Sequence, residues 1–303
     1  MFAPNDSDLA GAYSGERIFL IGNGPSLAET PLDALQDEYT MAMNRIDLIY
    51  DAVDWRPDFY ICNRSQTTTR DAFRESIELH LQLNRTRCFL DESWEGGLQS
   101  DSQTIFLRSG RPLNSKPQSP NGLSVTELLH VSIDWLERFW SYDPLEIVYP
   151  FHTMYMAAQL ALWMGFKEIY FLGVDLGLDT PNYMIYDNGL DPNHYGGDAM
   201  GYLTRAYESG KLPSALVNGF AMKIMSSLIR SGLLRRVTGF TDAHFASSYA
   251  DHVIPFNSNE ELRKSHVVIK RICDSNGIGV YNATFGGELE VYPRVDLLQV
   301  LDG

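Results

Sequence analysis

The chain has 303 residues, of which 44% are hydrophobic and 12% aromatic, so it is long and apolar enough to bury a sizeable core. This composition argues against intrinsic disorder. The formal net charge of -15 argues against binding to a nucleic-acid backbone, because such binding needs concentrated Lys and Arg.

The cysteines and the apolar runs bear on the compartment. Cys62, Cys88 and Cys273 lack metal-site spacing, so we expect free thiols in a reducing environment. The opening residues 1–12 are polar and acidic, unlike a signal peptide. The longest apolar-rich run, 154–166, is too short to span a bilayer. These features predict a soluble cytoplasmic protein without a transmembrane segment.

The first third of the chain carries short apolar runs that predict buried strands, at 18–21, 40–44, 58–62, 87–90 and 104–107. After the first run, Ser26 and Glu29 have the spacing of a capping box, which predicts the start of a helix. Residues 109–124 are rich in Ser, Pro, Asn and Gly, and this composition predicts a loop.

The remaining elements alternate in the same way. Helices are predicted at 153–164, 200–209, 214–231 and 260–276, and strands at 167–173 and 280–283. Residues 177–200 are predicted to be a loop. Alternating strands and helices predict an α/β fold with a doubly wound, mostly parallel, Rossmann-like sheet. We expect one domain over 1–303, with a lid and helical insertion at 176–255, called the lid segment below.

Ligands of such sheets bind beyond the carboxyl ends of the strands. The polar residues that end the predicted strands are therefore candidates for a polar pocket: Asn23, Asn44, Asn63, Asp175 and Asn282. The first of these lies in the segment Gly22-Asn23-Gly24-Pro25-Ser26, which follows a buried strand. Two glycines let the backbone approach a ligand closely, and a helix start offers N–H groups to an anion. A phosphate-binding loop and a plain tight turn both remain open, because neither dinucleotide-binding nor P-loop spacing is present.

Several motifs in order resemble one superfamily: IGNGPSL, MNRID, PDFYICN, GFKEIYFLGVDL, DPNHYGGD and YNATFGGELEVYPRVD. It contains the bacterial sialyltransferases of glycosyltransferase family 42. It also contains the DUF115 proteins, among them motility-associated glycosylation factors and a 6-hydroxymethylpterin pyrophosphokinase (MptE-like) group. The resemblance covers roughly 15–195 and 256–296, and its last motif is closer to the DUF115 side. It implies a GT-A-variant fold and a nucleotide-binding enzyme.

The resemblance also implies roles for individual residues, by the positions they occupy in its motifs. It assigns nucleotide binding to Gly22, Asn23, Gly24, Ser26, Asn44, Asn63, Thr153 and Tyr183. The strand-end residues Asp175 and Asn282 complete the nucleotide-binding set that we expect. Thr153 equally fits a helix cap. Arg294 is expected to pair with an acid, with a phosphate contact as the alternative.

The general base is the point at which this chain departs from the sialyltransferases. Asp198 stands where they have a His, and His194 is the nearby alternative base, or a loop residue with a structural hydrogen bond. A second departure is Gly177, which stands where they have one of two lid tyrosines.

Three functions follow as hypotheses. The first is a glycosyltransferase that needs no metal and moves a sugar, most plausibly from a CMP-sugar, to an acceptor hydroxyl in surface-glycan biosynthesis. The second is an ATP-dependent pyrophosphokinase, with Mg2+ held by Asp175, Asp191 and Asp198. The third is a non-catalytic nucleotide- or glycan-binding module. The expected partners are a nucleotide-sugar donor and a glycan or small-molecule acceptor, and a homo-oligomer is possible.

Overall fold

The structure is a computed structural model that describes residues 8–63, 71–83, 85–98, 103–108, 132–143, 147, 153–176, 183–185, 252–255 and 259–303. Its centre is a seven-stranded sheet in which every pair of neighbouring strands is parallel. The strands are β1 (Arg17–Ile21), β2 (Tyr39–Met43), β3 (Phe59–Cys62), β4 (Arg87–Asp91), β5 (Thr104–Leu107), β6 (Glu168–Leu172) and β9 (Gly279–Asn282). All seven were predicted from their apolar runs to within one or two residues, because parallel strands are buried on both faces.

The strand order is β5-β4-β3-β2-β1-β6-β9. The chain builds outward from β1 through β5, and then returns to the other side of β1 with β6. The direction of winding therefore reverses between β1 and β6. In open parallel sheets this switch point leaves a crevice beyond the carboxyl ends of the strands, where ligands bind.

Helices cover both faces of the sheet, as a doubly wound fold requires. They are α1 (Asp71–Leu81), α2 (Ile133–Glu137), α3 (Thr153–Met164), α4 (Asn259–Ser275) and α5 (Leu297–Asp302). One apolar core packs α3 and α4 against Leu20, Met41 and Phe171. The other core lies on the opposite face and packs α1 and α5 against Phe19 and Tyr60.

The predictions for α3 and α4 are confirmed, whereas the helix predicted to start at Ser26 is wrong. Pro25–Glu29 forms one turn of 3-10 helix, and its N-cap is Gly24, which makes no side-chain cap hydrogen bond. Ser26 lies inside that turn, and its backbone N–H and hydroxyl bind a carboxylate described below.

Two short strands, β7 (Tyr183–Ile185) and β8 (His252–Pro255), pair antiparallel as a separate ribbon. The first lies where the sequence predicted a loop. The predicted helices at 200–209 and 214–231, and most of the lid segment, lie outside the described residues. Within the described part of the chain, no helix is both long and apolar enough to cross a membrane.

Candidate functional site

The loops that follow β1 and β6 lie against each other at the switch point. Gly22 N–H donates to the Leu172 carbonyl at 2.8 Å, and Gly24 N–H donates to the Gly173 carbonyl, also at 2.8 Å. A Cβ atom on Gly22 would lie 2.5 Å from the Gly173 carbonyl oxygen, and one on Gly24 would collide with the Asp175 carboxylate. The two glycines are therefore required for close packing between the loops, whatever ligand they also meet.

Asp175 places a carboxylate where a phosphate-binding loop, one of the two alternatives left open by the sequence, would hold a phosphate. Its oxygens accept the Ser26 N–H at 3.2 and 3.4 Å, and the Ser26 hydroxyl donates to Oδ2 at 3.0 Å. Burial raises the pKa of the Asp175 carboxyl, while the hydrogen bonds from Ser26 and the charge of Arg294 act in the opposite direction. The anion at the start of the 3-10 turn is thus supplied by the chain itself. A phosphate that used the same two Ser26 groups would compete with it.

A third loop, residues 284–288, supports Asp175 from the side of β9. The Glu288 N–H donates to the Asp175 carbonyl at 2.6 Å. Arg294 holds this loop by donating to the carbonyls of Thr284, Gly286 and Gly287, at 3.1, 2.6 and 2.7 Å.

Arg294 also pairs with an acid, as predicted. Its Nε donates to Glu290 at 2.9 Å, and its NH2 group lies 2.7 Å from the same carboxylate. Every nitrogen of the guanidinium therefore has an acceptor within the chain, which argues against the alternative phosphate contact.

Asn23 and Asn44 end the neighbouring strands β1 and β2. The Asn23 amide donates through Nδ2 to the Met43 carbonyl at 3.0 Å, which ties the two strand ends together. Among the described residues, neither the Oδ1 atom of Asn23 nor that of Asn44 has a hydrogen-bond partner, although both atoms are buried. Buried amide oxygens normally have a donor, so these two can accept from a ligand, a water or a residue outside the described ones. The group that meets them must be a hydrogen-bond donor or a cation.

Asn44 has a left-handed backbone conformation, with φ of 55°. Its carbonyl accepts the Tyr60 hydroxyl at 2.6 Å, and the Ser76 hydroxyl lies 2.9 Å from the same oxygen. The Ser76 hydroxyl also donates to Asp47 at 2.6 Å, so its single hydrogen is shared between two acceptors. Burial raises the pKa of the Asp47 carboxyl, against the effect of the Ser76 hydrogen bond.

His80 completes this cluster beneath Asn44. Its ring stacks on Tyr60 at 3.7 Å with an interplanar angle of 8°. Nδ1 lies 2.7 Å from the Ser76 carbonyl and Nε2 lies 2.7 Å from the Tyr50 hydroxyl. Because a carbonyl can only accept, Nδ1 carries the proton and Nε2 accepts from Tyr50. The sequence analysis did not identify Tyr60, Ser76 and His80 as part of the site. The only sequence signal for this cluster was Tyr60 itself, a polar aromatic residue within the apolar run of β3.

The other predicted site residues have different surroundings. Asn63 follows β3 and is half-buried, and Thr153 is a buried first residue of α3. The Asn282 side chain is fully buried, donates to the Leu289 carbonyl at 2.8 Å and accepts the Thr284 N–H at 2.9 Å. Both ends of this fully buried amide therefore hold its own loop.

The lid residues are less fully described. Tyr183 begins β7, of which only the backbone is described, and Asp191, His194 and Asp198 lie outside the described residues. The described residues contain no group of three or more side chains that could hold a metal ion.

No protein-family model matches the chain, and no curated protein matches it. Two solved structures are similar to it. The MAf glycosyltransferase from Magnetospirillum magneticum AMB-1 is 12% identical, with a TM-score of 0.41 over 96% of this chain. The sialyltransferase CstII from Campylobacter jejuni, in complex with the substrate analogue cytidine-5'-monophosphate, is 16% identical, with a TM-score of 0.32 over 55% of this chain. The aligned regions amount to 37% of the MAf chain and 64% of the CstII chain.

Proposed function

We propose that this chain is a glycosyltransferase that binds a nucleotide sugar, a CMP-sugar, at the switch point between β1 and β6. Its acceptor would be a hydroxyl group in surface-glycan biosynthesis. The observation that carries the proposal is the pair of buried Oδ1 atoms, on Asn23 and Asn44, that lack partners among the described residues. The order of motifs that these residues share with the sialyltransferases supports the same function.

The chemistry of the two oxygens suits the nucleoside part of such a donor. Ribose hydroxyls and the exocyclic amine of cytosine are hydrogen-bond donors, whereas phosphate oxygens only accept at neutral pH. Asn23 and Asn44 are therefore proposed to meet the ribose or the base, with Asn63 and Thr153 at neighbouring positions beyond the strand ends.

The charge of Asp175 affects how many phosphate groups the donor nucleotide can carry. Its carboxylate lies against Gly24 and Ser26, so it repels an anion placed beside this loop. A single phosphodiester charge is repelled less than a triphosphate. In the absence of a metal ion, this supports a sugar linked to a nucleoside monophosphate over ATP as the donor. Tyr183 of the lid segment is proposed to contact its phosphate.

The proposed reaction is a single displacement at the anomeric carbon. The acceptor oxygen forms the new bond to that carbon as the bond to phosphate breaks, and CMP leaves with the bonding electrons. Asp198 or His194 takes the proton of the acceptor hydroxyl. The configuration at the anomeric carbon is therefore inverted. The lid segment, 176–255, carries both candidate bases and would exclude water from the donor.

Calorimetry with CMP, CTP, ADP and ATP, each with Mg2+ or with EDTA, tests the donor. Metal-independent binding of CMP is expected. Asn23→Ala is expected to weaken CMP binding about three- to tenfold, through loss of one hydrogen bond to the ligand. The matched control is Asn276→Ala, which changes an exposed Asn at the end of α4 and should leave the affinity unchanged.

Binding of ATP alone, and only with Mg2+, would contradict the proposal and favour the pyrophosphokinase. Replacing both Asp198 and His194 by Ala should abolish sugar transfer while CMP still binds. Unchanged transfer in that double variant would refute the assignment of the base. A nucleotide bound by the wild-type chain without turnover of any acceptor would indicate a binding module.

A further inference from the structure

Asn44 has the left-handed conformation that Asn adopts more readily than most L-residues, and contacts on both sides of its Cα hold it there. Within the described part of the chain, the only other non-glycine residue with a positive φ is Leu176, with φ of 44°. The Asn44 N–H donates to the Ile61 carbonyl at 3.0 Å, so the peptide group before its Cα is fixed by β3. The peptide group after its Cα is fixed by the hydroxyls of Tyr60 and Ser76, which surround its carbonyl oxygen.

The Tyr60 hydroxyl is itself held rigidly. Tyr60 and His80 are fully buried and Ser76 is 1% exposed, so solvent cannot replace these contacts. The stacked His80 ring fixes the plane of the phenol, and His80 is fixed in turn by the Ser76 carbonyl and by Tyr50. The Asn44 carbonyl therefore meets preorganised hydroxyl groups from β3 and from α1.

We propose that Tyr60, assisted by Ser76, is a positioning residue for the nucleotide site, and that it acts only through Asn44. With both neighbouring peptide groups fixed, the Cα–Cβ bond of Asn44 has one direction, and the amide keeps only its side-chain rotations. The Oδ1 atom without a partner among the described residues is then confined to the few rotamers that this fixed backbone allows, before any ligand arrives. This inference rests on the proposed function, since it supposes that Asn44 binds the nucleotide.

The first test is a double-variant cycle on CMP affinity. Tyr60→Phe removes one oxygen and keeps the ring, and is expected to weaken CMP binding about five- to tenfold, because the competent Asn44 conformer becomes less populated. In the Asn44→Gly background the same change should have no further effect, since the side chain that Tyr60 positions is absent. Equal losses in both backgrounds would overturn the proposal, because they would indicate general disruption.

The matched control is Tyr292→Phe. Tyr292 is buried in the other core, and its hydroxyl donates to the His266 carbonyl at 3.1 Å, so the same atom is removed from a similar bond. This control should leave CMP affinity unchanged. A loss equal to that of Tyr60→Phe would overturn the specific role of Tyr60.

The second test needs no ligand. Side-chain amide resonances of the full chain, isotopically labelled at asparagine, identify Asn44 by its absence from the Asn44→Gly spectrum. Tyr60→Phe should shift or broaden this resonance pair, and Tyr292→Phe should not. An unmoved Asn44 resonance in Tyr60→Phe would refute the positioning role. If the wild-type chain binds no nucleotide, the proposed function fails, and this spectrum still decides whether Tyr60 orders Asn44.

Discussion

His80 makes the stability of the fold depend on pH in a calculable way. Burial lowers the pKa of His80 from 6.5 to about 4, with a smaller opposing effect from the hydrogen bond to the Ser76 carbonyl. Between these two values the unfolded chain binds a proton that the folded chain does not. The contribution of neutral His80 to the free energy of unfolding is thus fully present above the pKa of the unfolded chain. It is lost as the pH falls towards the pKa of His80 in the folded chain. From about pH 7 to about pH 4.5, the loss in free energy of unfolding is about 2.5 kcal/mol.

Urea unfolding at these two pH values, on the wild-type chain and on His80→Gln, measures this contribution. Asp47 and Asp175 have pKa values raised by burial, so they act with the opposite sign as the pH falls. Both carboxyl groups are present in the wild-type chain and in His80→Gln. The difference between the two proteins in the pH-dependent change of unfolding free energy therefore reports on His80 alone. The wild-type chain should lose about 2.5 kcal/mol more than His80→Gln. The same pH dependence in both proteins would refute the reasoning, because it would mean that His80 titrates normally in the fold.

Three further predictions concern the switch point, and urea unfolding and CMP calorimetry measure them. Asn44→Ala should be less stable than Asn44→Gly by about 1 kcal/mol, because Gly adopts the left-handed conformation without strain. Both variants should lose CMP affinity. Equal stability of the two variants would contradict the strain argument. Gly22→Ala should cost about 3 kcal/mol or more, since its Cβ meets the Gly173 carbonyl oxygen at 2.5 Å, and a neutral effect would show that the loops can separate. Asp175→Asn should cost about 1 to 2 kcal/mol in stability through weaker hydrogen bonds with Ser26, yet bind CMP about threefold more tightly, because the repelling charge is gone. Weaker CMP binding by a folded Asp175→Asn would place the carboxylate among the groups that favour the ligand.

The strands could be predicted from the sequence because each is a short apolar run that ends at a polar residue. That pattern also placed Asn23 and Asn44 at one edge of the sheet, since parallel strands end on the same side. The position of Asp175 beside this edge follows from the same rule. These inferences need only local sequence and the geometry of a parallel sheet.

The partners of these residues could not be predicted. Ser26 meets a carboxylate 149 positions away in the sequence, and no local pattern shows that this carboxylate fills the start of the turn. The capping-box spacing at Ser26 and Glu29 therefore predicted a helix that tertiary contacts replace with a 3-10 turn. In the same way, the contact of the Ser76 hydroxyl with the Asn44 carbonyl joins α1 to the end of β2 across 32 positions.

The place of β1 between β2 and β6 has a consequence for synthesis on the ribosome. Arg17 of β1 is paired with Glu168 of β6, so one edge of β1 stays unpaired until β6 is synthesised about 150 residues later. At about 5 to 20 residues per second, this interval lasts roughly 8 to 30 seconds. During that time the nascent sheet presents an unpaired, apolar edge that can recruit strands from other chains. This strand order therefore makes the nascent chain susceptible to aggregation until β6 is made.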